Sequence, residues 1–327
     1  MKHMLVSAGL ALLSGGVCAQ GSVLIGLITK TEANPFFVKM REGAKAEARK
    51  LGASLLTAAG AQDGDTATQI AAMESMTLAG VKTILIASNG DAIVPTVKKI
   101  KAKGVQVIAL DSPFEGADAL FATNNYQAGV LIGQYAKAAL AGKLAKIATL
   151  DLFPGHPVGA QRHNGFMHGF GLAAADASSN DLSAAPAVVC MADSFGDAAK
   201  GEAAMASCLQ KNPGINLVYT INEPAATGAY AALQKVGKAG AVVIVSVDGG
   251  CNGVADVGAG KIAATSQQYP LRMAARGVAA GVHYARTGKK AAGYVDTGVN
   301  LITGTPLAGV ESKDVHTGTQ LCWGKKG

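Results

Sequence analysis

Ser22-Val23-Leu24-Ile25-Gly26-Leu27-Ile28-Thr29, followed at Asn34-Pro35-Phe36-Phe37 by the start of an amphipathic pattern, is the stretch on which the reading of this chain turns. The first eight residues are apolar and short enough for a single strand. From Pro35 to Leu51 the apolar positions recur at helical spacing, with Ala and Lys between them. The unit is therefore a strand, a short polar connection and a helix. Phe36 and Phe37 stand together at the junction, where adjacent aromatic rings form a platform for a flat apolar surface. Asn34 ahead of them carries both a donor and an acceptor.

Working outward, the same unit repeats. β-rich runs occur at Ser54–Ala58, Thr83–Ala87, Val105–Leu110, Leu120–Ala122, Lys146–Asp151, Ala187–Met191, Leu217–Thr220 and Val242–Asp248. Helical patterns lie between them, as at Thr66–Ala79, Ala92–Lys103 and Gln127–Ala141. Short strands alternating with longer helices predict parallel sheets built from right-handed crossovers. Gly260–Gln268 reads as a further strand, Pro270–Arg286 as a helix, and Tyr294–Thr303 as a last extended stretch. Several strands run into a polar residue: Asp111, Asp151, Asn222 and Asp248. In open parallel sheets ligands sit beyond the carboxyl ends of the strands, so polar ends in both halves of the chain predict a cleft between two sheets.

Upstream, Lys2, the apolar run Met4–Leu13 and the small residues up to Ala19 have the order of a cleavable signal peptide, cut between Ala19 and Gln20. The run falls short of the ~20 apolar residues that span a bilayer. The expected mature protein is thus exported to the periplasm of a Gram-negative cell. Its length of about 300 residues exceeds a usual single core and predicts two domains. Of the five cysteines, Cys18 falls in the leader, which leaves Cys190, Cys208, Cys251 and Cys322. An even number in an oxidising compartment favours disulfides. Cys190 ends a strand and Cys208 lies on the next helix, which favours Cys190–Cys208 and Cys251–Cys322 among the three pairings.

The formal charge of +7 comes from lysines scattered over helix faces, such as Lys98, Lys99, Lys101 and Lys103, with no arginine stripe interleaved with aromatics. That pattern is a solvated surface and argues against nucleic-acid binding. The chain has no phosphate loop, no Gly-x-Gly-x-x-Gly after its first strand, no His-Glu-x-x-His and no nucleophile elbow. His156, His163 and His168 do not share a helix face and read as surface or loop histidines, so neither metal nor cofactor is expected. Asp111 and Asp248 could be paired as catalytic carboxylates, but nothing in the sequence splits their acidities.

Six stretches in order, Asn34-Pro35-Phe36-Phe37, Ala109-Leu110-Asp111, Gln161-Arg162-His163-Asn164-Gly165-Phe166, Thr220-Ile221-Asn222-Glu223, Val247-Asp248-Gly249-Gly250 and Thr265-Ser266-Gln267-Gln268, resemble the periplasmic sugar-binding proteins of ABC importers. The likeness is to the cluster related to ribose-binding protein, and within it to the fructose-binding branch. It implies an α/β, type I periplasmic-binding-protein fold: two Rossmann-like lobes with parallel sheets joined by a three-stranded hinge. The lobes would comprise residues 20–124 plus 269–297 and 125–268 plus 298–327. The hinge would cross near Thr123–Asn125, at Gln268–Tyr269 in preference to Gly250–Val254, and at Thr297. The resemblance further implies a non-catalytic carrier, monomeric, that delivers a monosaccharide to an inner-membrane permease, with a chemoreceptor as a further partner. In such a pocket Asn34, Asp111, Arg162, Asn222, Asp248 and Gln268 would bond hydroxyls, and Phe36 and Phe37 would pack on the sugar face. The chain departs from the ribose binders in carrying Lys30 where they have Ser, and Ser112 where they have Arg. The second-lobe aromatic falls on Phe195 or Gly196.

Overall fold

The computed structural model describes residues 22–324, so the expected signal peptide over residues 1–19 lies outside the described residues. In chain order the strands are β1 (Leu24–Thr29), β2 (Ser54–Ala59), β3 (Thr83–Ile86), β4 (Gln106–Leu110), β5 (Ala119–Ala122), β6 (Ile147–Asp151), β7 (Val188–Asp193), β8 (Leu217–Thr220), β9 (Val243–Asp248), β10 (Ala264–Gln267), β11 (Gly293–Asp296) and β12 (Asn300–Thr303). The helices are α1 (Pro35–Lys50), α2 (Thr66–Leu78), α3 (Val94–Ala102), α4 (Asn125–Ala139), α5 (Pro157–Phe170), α6 (Ala198–Lys211), α7 (Glu223–Lys235), α8 (Cys251–Gly258), α9 (Pro270–Thr287) and α10 (Val315–Leu321).

The strands form two six-stranded sheets, ordered β11-β5-β4-β3-β1-β2 and β12-β10-β9-β8-β6-β7. Each sheet is the centre of a lobe with helices on both faces, which is why its inner strands are buried and most of them largely apolar. In β1, Ile25 and Leu27 join the core beneath α1 and α9, while Ile28 faces the opposite core with Met73 of α2 and Val97 of α3. In β8, Leu217 and Tyr219 pack toward α4 and α5, and Val218 toward α6 and α7.

The chain passes between the sheets three times: after β5, after β10 and between β11 and β12. Residues 251–258 stay in the second lobe as α8, which packs on β10, β12 and α10. The extended stretch over Tyr294–Thr303 is two strands in different sheets, divided beside Thr297. Asp296 Oδ1 accepts from the Gly298 amide at 2.8 Å, and Gly298 sits at φ 89°, a turn that only glycine makes without strain. Beyond it β12 runs antiparallel to β10, the one reversal among the described strand pairs.

Two local features aim the cleft. Asn34 caps α1, its Oδ1 accepting the Phe36 amide at 2.9 Å with Pro35 in the first turn, so both phenylalanines start the helix at the cleft edge. Helices α4 and α5 meet through glycines on both sides. A Cβ at Gly129 would stand 2.2 Å from the Arg162 carbonyl, and one at Gly165 would stand 2.1 Å from the Tyr126 carbonyl. That near backbone contact fixes the helix that carries Arg162. Two disulfides, Cys190–Cys208 and Cys251–Cys322, have Cα separations of 5.7 and 4.9 Å, within the normal range. Cys190 lies inside β7 rather than at its end.

Candidate functional site

A cavity between the lobes collects Lys30, Asn34, Phe36, Phe37, Asp111, Arg162, Asn222, Asp248 and Gln268, the nine residues singled out in the sequence. Asp63, Asn89, Leu152, Phe153, His156 and Val158 complete much of its lining.

On the first-lobe wall, Asp111 follows β4 with φ 65°, a left-handed conformation that turns its buried carboxylate into the cleft. Ser112 Oγ donates to Asp111 Oδ2 at 3.0 Å, so this serine keeps the carboxylate company where a cation was absent from the sequence. Phe36 and Phe37 are buried and edge-to-face, with centroids 5.2 Å apart. Asn34 uses its Oδ1 as the cap, which leaves its amide N–H groups for a ligand. Lys30 stands just past β1, and burial pulls its pKa below the ordinary lysine value while Asp111 opposes that.

The second-lobe wall is a connected network. Arg162 Nε donates to Asn125 Oδ1 at 2.8 Å, and its Nη1 donates to the Ile221 carbonyl at 2.9 Å and to Asp248 Oδ1 at 3.2 Å. Gln268 Nε2 donates to the same Asp248 oxygen at 2.7 Å, and its own Oε1 is buried without a protein partner. The guanidinium is thereby held in plane with its second terminal nitrogen unused by the protein. Asp248 also lies at positive φ, 134°. Burial raises its carboxyl to about 6, against the pull of Arg162 and Gln268. Beneath it, Glu223 accepts from the amides of Gly249 and Gly250 at 2.7 and 3.0 Å and from Thr265 Oγ1 at 2.8 Å, fixing the turn after β9. Burial, and then the Asp248 charge, push Glu223 up to about 8. Asn222 lines the cavity with its amide engaged: Oδ1 caps α7 and Nδ2 donates to the Gly196 carbonyl.

The walls touch across the cleft where Lys30 Nζ lies 3.1 Å from His156 Nε2. Burial, with Lys30 and Arg162 nearby, holds His156 down to about 2, so the ring is neutral and accepts.

Three expectations change. Asp151 ends β6 but does not reach the cavity: its Oδ1 lies 2.8 Å from His163 Nδ1 and its Oδ2 accepts from Thr149 at 2.7 Å. His163 is therefore no surface histidine; it is 0 % exposed. Phe195 is 46 % exposed beneath the Lys200 ammonium and outside the cavity, and Gly196 serves Asn222. The second-lobe aromatic in the cavity is Phe153, on the loop after β6, with Phe195 stacked behind it at 6.2 Å. Asp63 and His156 gave no motif in the sequence, since each lies in a loop rather than at a strand end. Among the described residues, no cluster of three or more His, Cys, Asp or Glu side chains is placed to hold a metal ion. No helix among them is long and apolar enough to cross a membrane.

Two lobes of parallel sheet around a polar, aromatic-edged cleft define a bilobal solute-binding protein. The chain matches the periplasmic binding protein domain over residues 25–290 and belongs to that family. It is 32 % identical over 283 residues to the ribose import binding protein of Salmonella typhimurium, covering 85 % of this chain and 90 % of that one. It is 27 % identical over 274 residues to the D-allose-binding periplasmic protein of Escherichia coli, covering 80 % and 85 %. A solute-binding protein of Actinobacillus succinogenes with bound D-allose superposes with a TM-score of 0.76 at 23 % identity, over 86 % of this chain and 98 % of that one. These relatives are binding proteins, and the chain is a binding protein rather than an enzyme.

Proposed function

We propose that the protein captures one monosaccharide between its lobes and delivers it to the permease of an ABC importer in the inner membrane. The observation that carries this reading is the cavity itself. It joins three carboxylates, a lysine, an arginine and amides to phenylalanines from both lobes, within reach of one small molecule. Sugars need that mixture, with polar groups around the ring and flat apolar contacts on its faces. The relatives named for ribose and allose support the class.

Fructose is the first candidate cargo, on the sequence resemblance and on Lys30 and Ser112, which alter two contacts relative to the ribose binders. Ribose, allose and other monosaccharides follow. The nine cavity residues named above are the proposed contacts. The protein would act as a monomer in the periplasm after loss of the leader. Residues 20–124 plus 269–297 and 125–268 plus 298–327 would move as two bodies about the three crossings. Ligand bridging both walls would favour the closed arrangement by its differential affinity for it. A polyol or signalling molecule passed to a chemoreceptor or sensor kinase is the second reading, since the same cavity would serve it.

The test is calorimetry on mature protein unfolded and refolded to strip bound solute, titrated with D-fructose, D-ribose, D-allose, other aldohexoses and myo-inositol. One tight sugar at unit stoichiometry is expected. Tight binding of ribose or allose without fructose removes the fructose assignment. No binding across the panel removes the monosaccharide reading.

A further inference from the structure

Trp323 is the only tryptophan of the chain, and it is carried by a tail that belongs to the second lobe. Helix α10 packs on α8 and β12, and the next residue, Cys322, is bonded to Cys251 at the start of α8. The Trp323 carbonyl accepts the Cys251 amide at 2.8 Å, so backbone and disulfide hold the tail at the same point. The indole nonetheless lies in the apolar core of the first lobe, 5 % exposed. It meets Phe36 nearly edge-on, with centroids 5.3 Å apart and planes at 78°. Its Nε1 donates to the Gln268 carbonyl at 2.9 Å, on the second passage between the lobes.

Phe36 and Gln268 both line the cavity, one from the first lobe and one from the crossing. Trp323 thus touches two cavity residues from behind without lining that cavity itself. We infer that Trp323 is a positioning residue for the cleft, anchored by the Cys251–Cys322 disulfide, which sets the Phe36 ring and favours the closed arrangement of the lobes. The physical reason is that parting the lobes draws the indole, whose tail is fixed to the second lobe, out of its seat in the first-lobe core. That movement exposes apolar ring surface and parts the ring from Phe36. A disulfide at the residue before the indole prevents the tail from simply following the first lobe. The ligand half of this inference rests on the monosaccharide reading; the closure half does not.

The experiment has two arms on full mature protein. In the first, small-angle X-ray scattering compares ligand-free wild type with Trp323→Ala, with Trp323→Phe, and with Cys251→Ser plus Cys322→Ser. Trp323→Ala and the double serine variant should have a larger radius of gyration than wild type, with Trp323→Phe between, since it keeps a ring and loses the donor. Coincident curves for all four overturn the closure half whether or not any sugar binds. In the second, D-ribose, D-allose and D-fructose are titrated and their dissociation timed. For the sugar that wild type binds, Trp323→Ala should raise Kd about tenfold through faster dissociation, with association little changed. Adding the serine pair to Trp323→Ala should weaken binding no further, because disulfide and indole act in series. Unchanged dissociation, or additive losses, overturn the positioning role. If wild type binds none of the three sugars while the scattering shift appears, the cargo assignment fails and the latch stands.

Discussion

Asp151 and Asp248 end two strands of the same sheet, β6 and β9, with β8 between them, and both are buried. From the sequence they look alike. Asp151 spends both oxygens within the protein, one on His163 and one on Thr149. Asp248 gives one oxygen to Arg162 and Gln268 and keeps the other toward the cavity. The backbone decides between them: Asp248 sits at φ 134° before Gly249 and Gly250, a conformation that bends it out of the strand, whereas Asp151 is an ordinary strand residue. A carboxylate at a strand end is thus a ligand candidate only where the turn after it points the side chain outward.

Substitution should separate the two. Asp151→Ala leaves His163 buried without its partner and should cost ~3–5 kcal/mol of stability, as breaking a buried pair does. Denaturant unfolding measures that, and sugar affinity in the folded fraction should stay within about threefold of wild type. Asp248→Ala should do the reverse. It leaves a ligand hydroxyl and the Arg162 fork unpaired and should weaken binding by ~2–4 kcal/mol while the protein remains folded. Equal affinity for Asp248→Ala and wild type sinks the assignment of the cavity.

A pH titration of stability should divide the pair again. Burial alone lowers His163, but the Asp151 charge, its hydrogen bond and the Ser183 carbonyl outweigh it, and the ring titrates above the ordinary 6.5. A histidine raised by folding contributes stability that is complete below 6.5 and is lost as pH climbs through its folded value. Asp248 is raised from 3.8 to about 6, so the folded protein binds that proton more tightly and stability falls as pH rises between those values. Chemical unfolding from pH 4 to 9 should therefore show a loss above 6.5 that shrinks in Asp151→Asn, with the remainder from Glu223, which is pushed up to about 8. The loss between 4 and 6 should shrink in Asp248→Asn. His156, held down to about 2, adds a rise of its own below 6.5, so the comparison is between each variant and wild type: a profile unchanged in Asp151→Asn above 6.5, or in Asp248→Asn between 4 and 6, contradicts the matching assignment.

Much of this was legible from local pattern. The strand and helix periods were written in runs such as Leu24–Thr29, because strands buried on both faces are mostly apolar. Asn34, Asp111, Asp248 and Gln268 stood out because each closes or follows a strand that reads cleanly. The missing parts depend on tertiary placement. Gly129 and Gly165 read as ordinary helix residues until two helices are brought into contact. His163 reads as polar surface until a strand-end aspartate arrives beside it. The break at Gly298 is a single left-handed glycine inside an extended run, with Asp296 two residues earlier as the only sign of a turn.

The aromatic of the second lobe is the sharpest instance of that boundary. Phe153 and Phe195 stack on one another, both on loops that follow neighbouring strands of the sheet, and spacing alone does not rank them. Phe195 sits at φ 54°, which throws its ring outward under Lys200, while Phe153 is turned toward His156 at the cavity wall. Phe153→Ala should therefore remove a stacking surface and weaken sugar binding by about 1 kcal/mol, whereas Phe195→Ala should change it by less than twofold. Because Phe195 backs Phe153, the double substitution should match Phe153→Ala alone to within ~0.5 kcal/mol. If calorimetry finds Phe195→Ala the more damaging of the two, the ring that meets the ligand is Phe195, and the loop after β7 rather than the loop after β6 closes over the cargo.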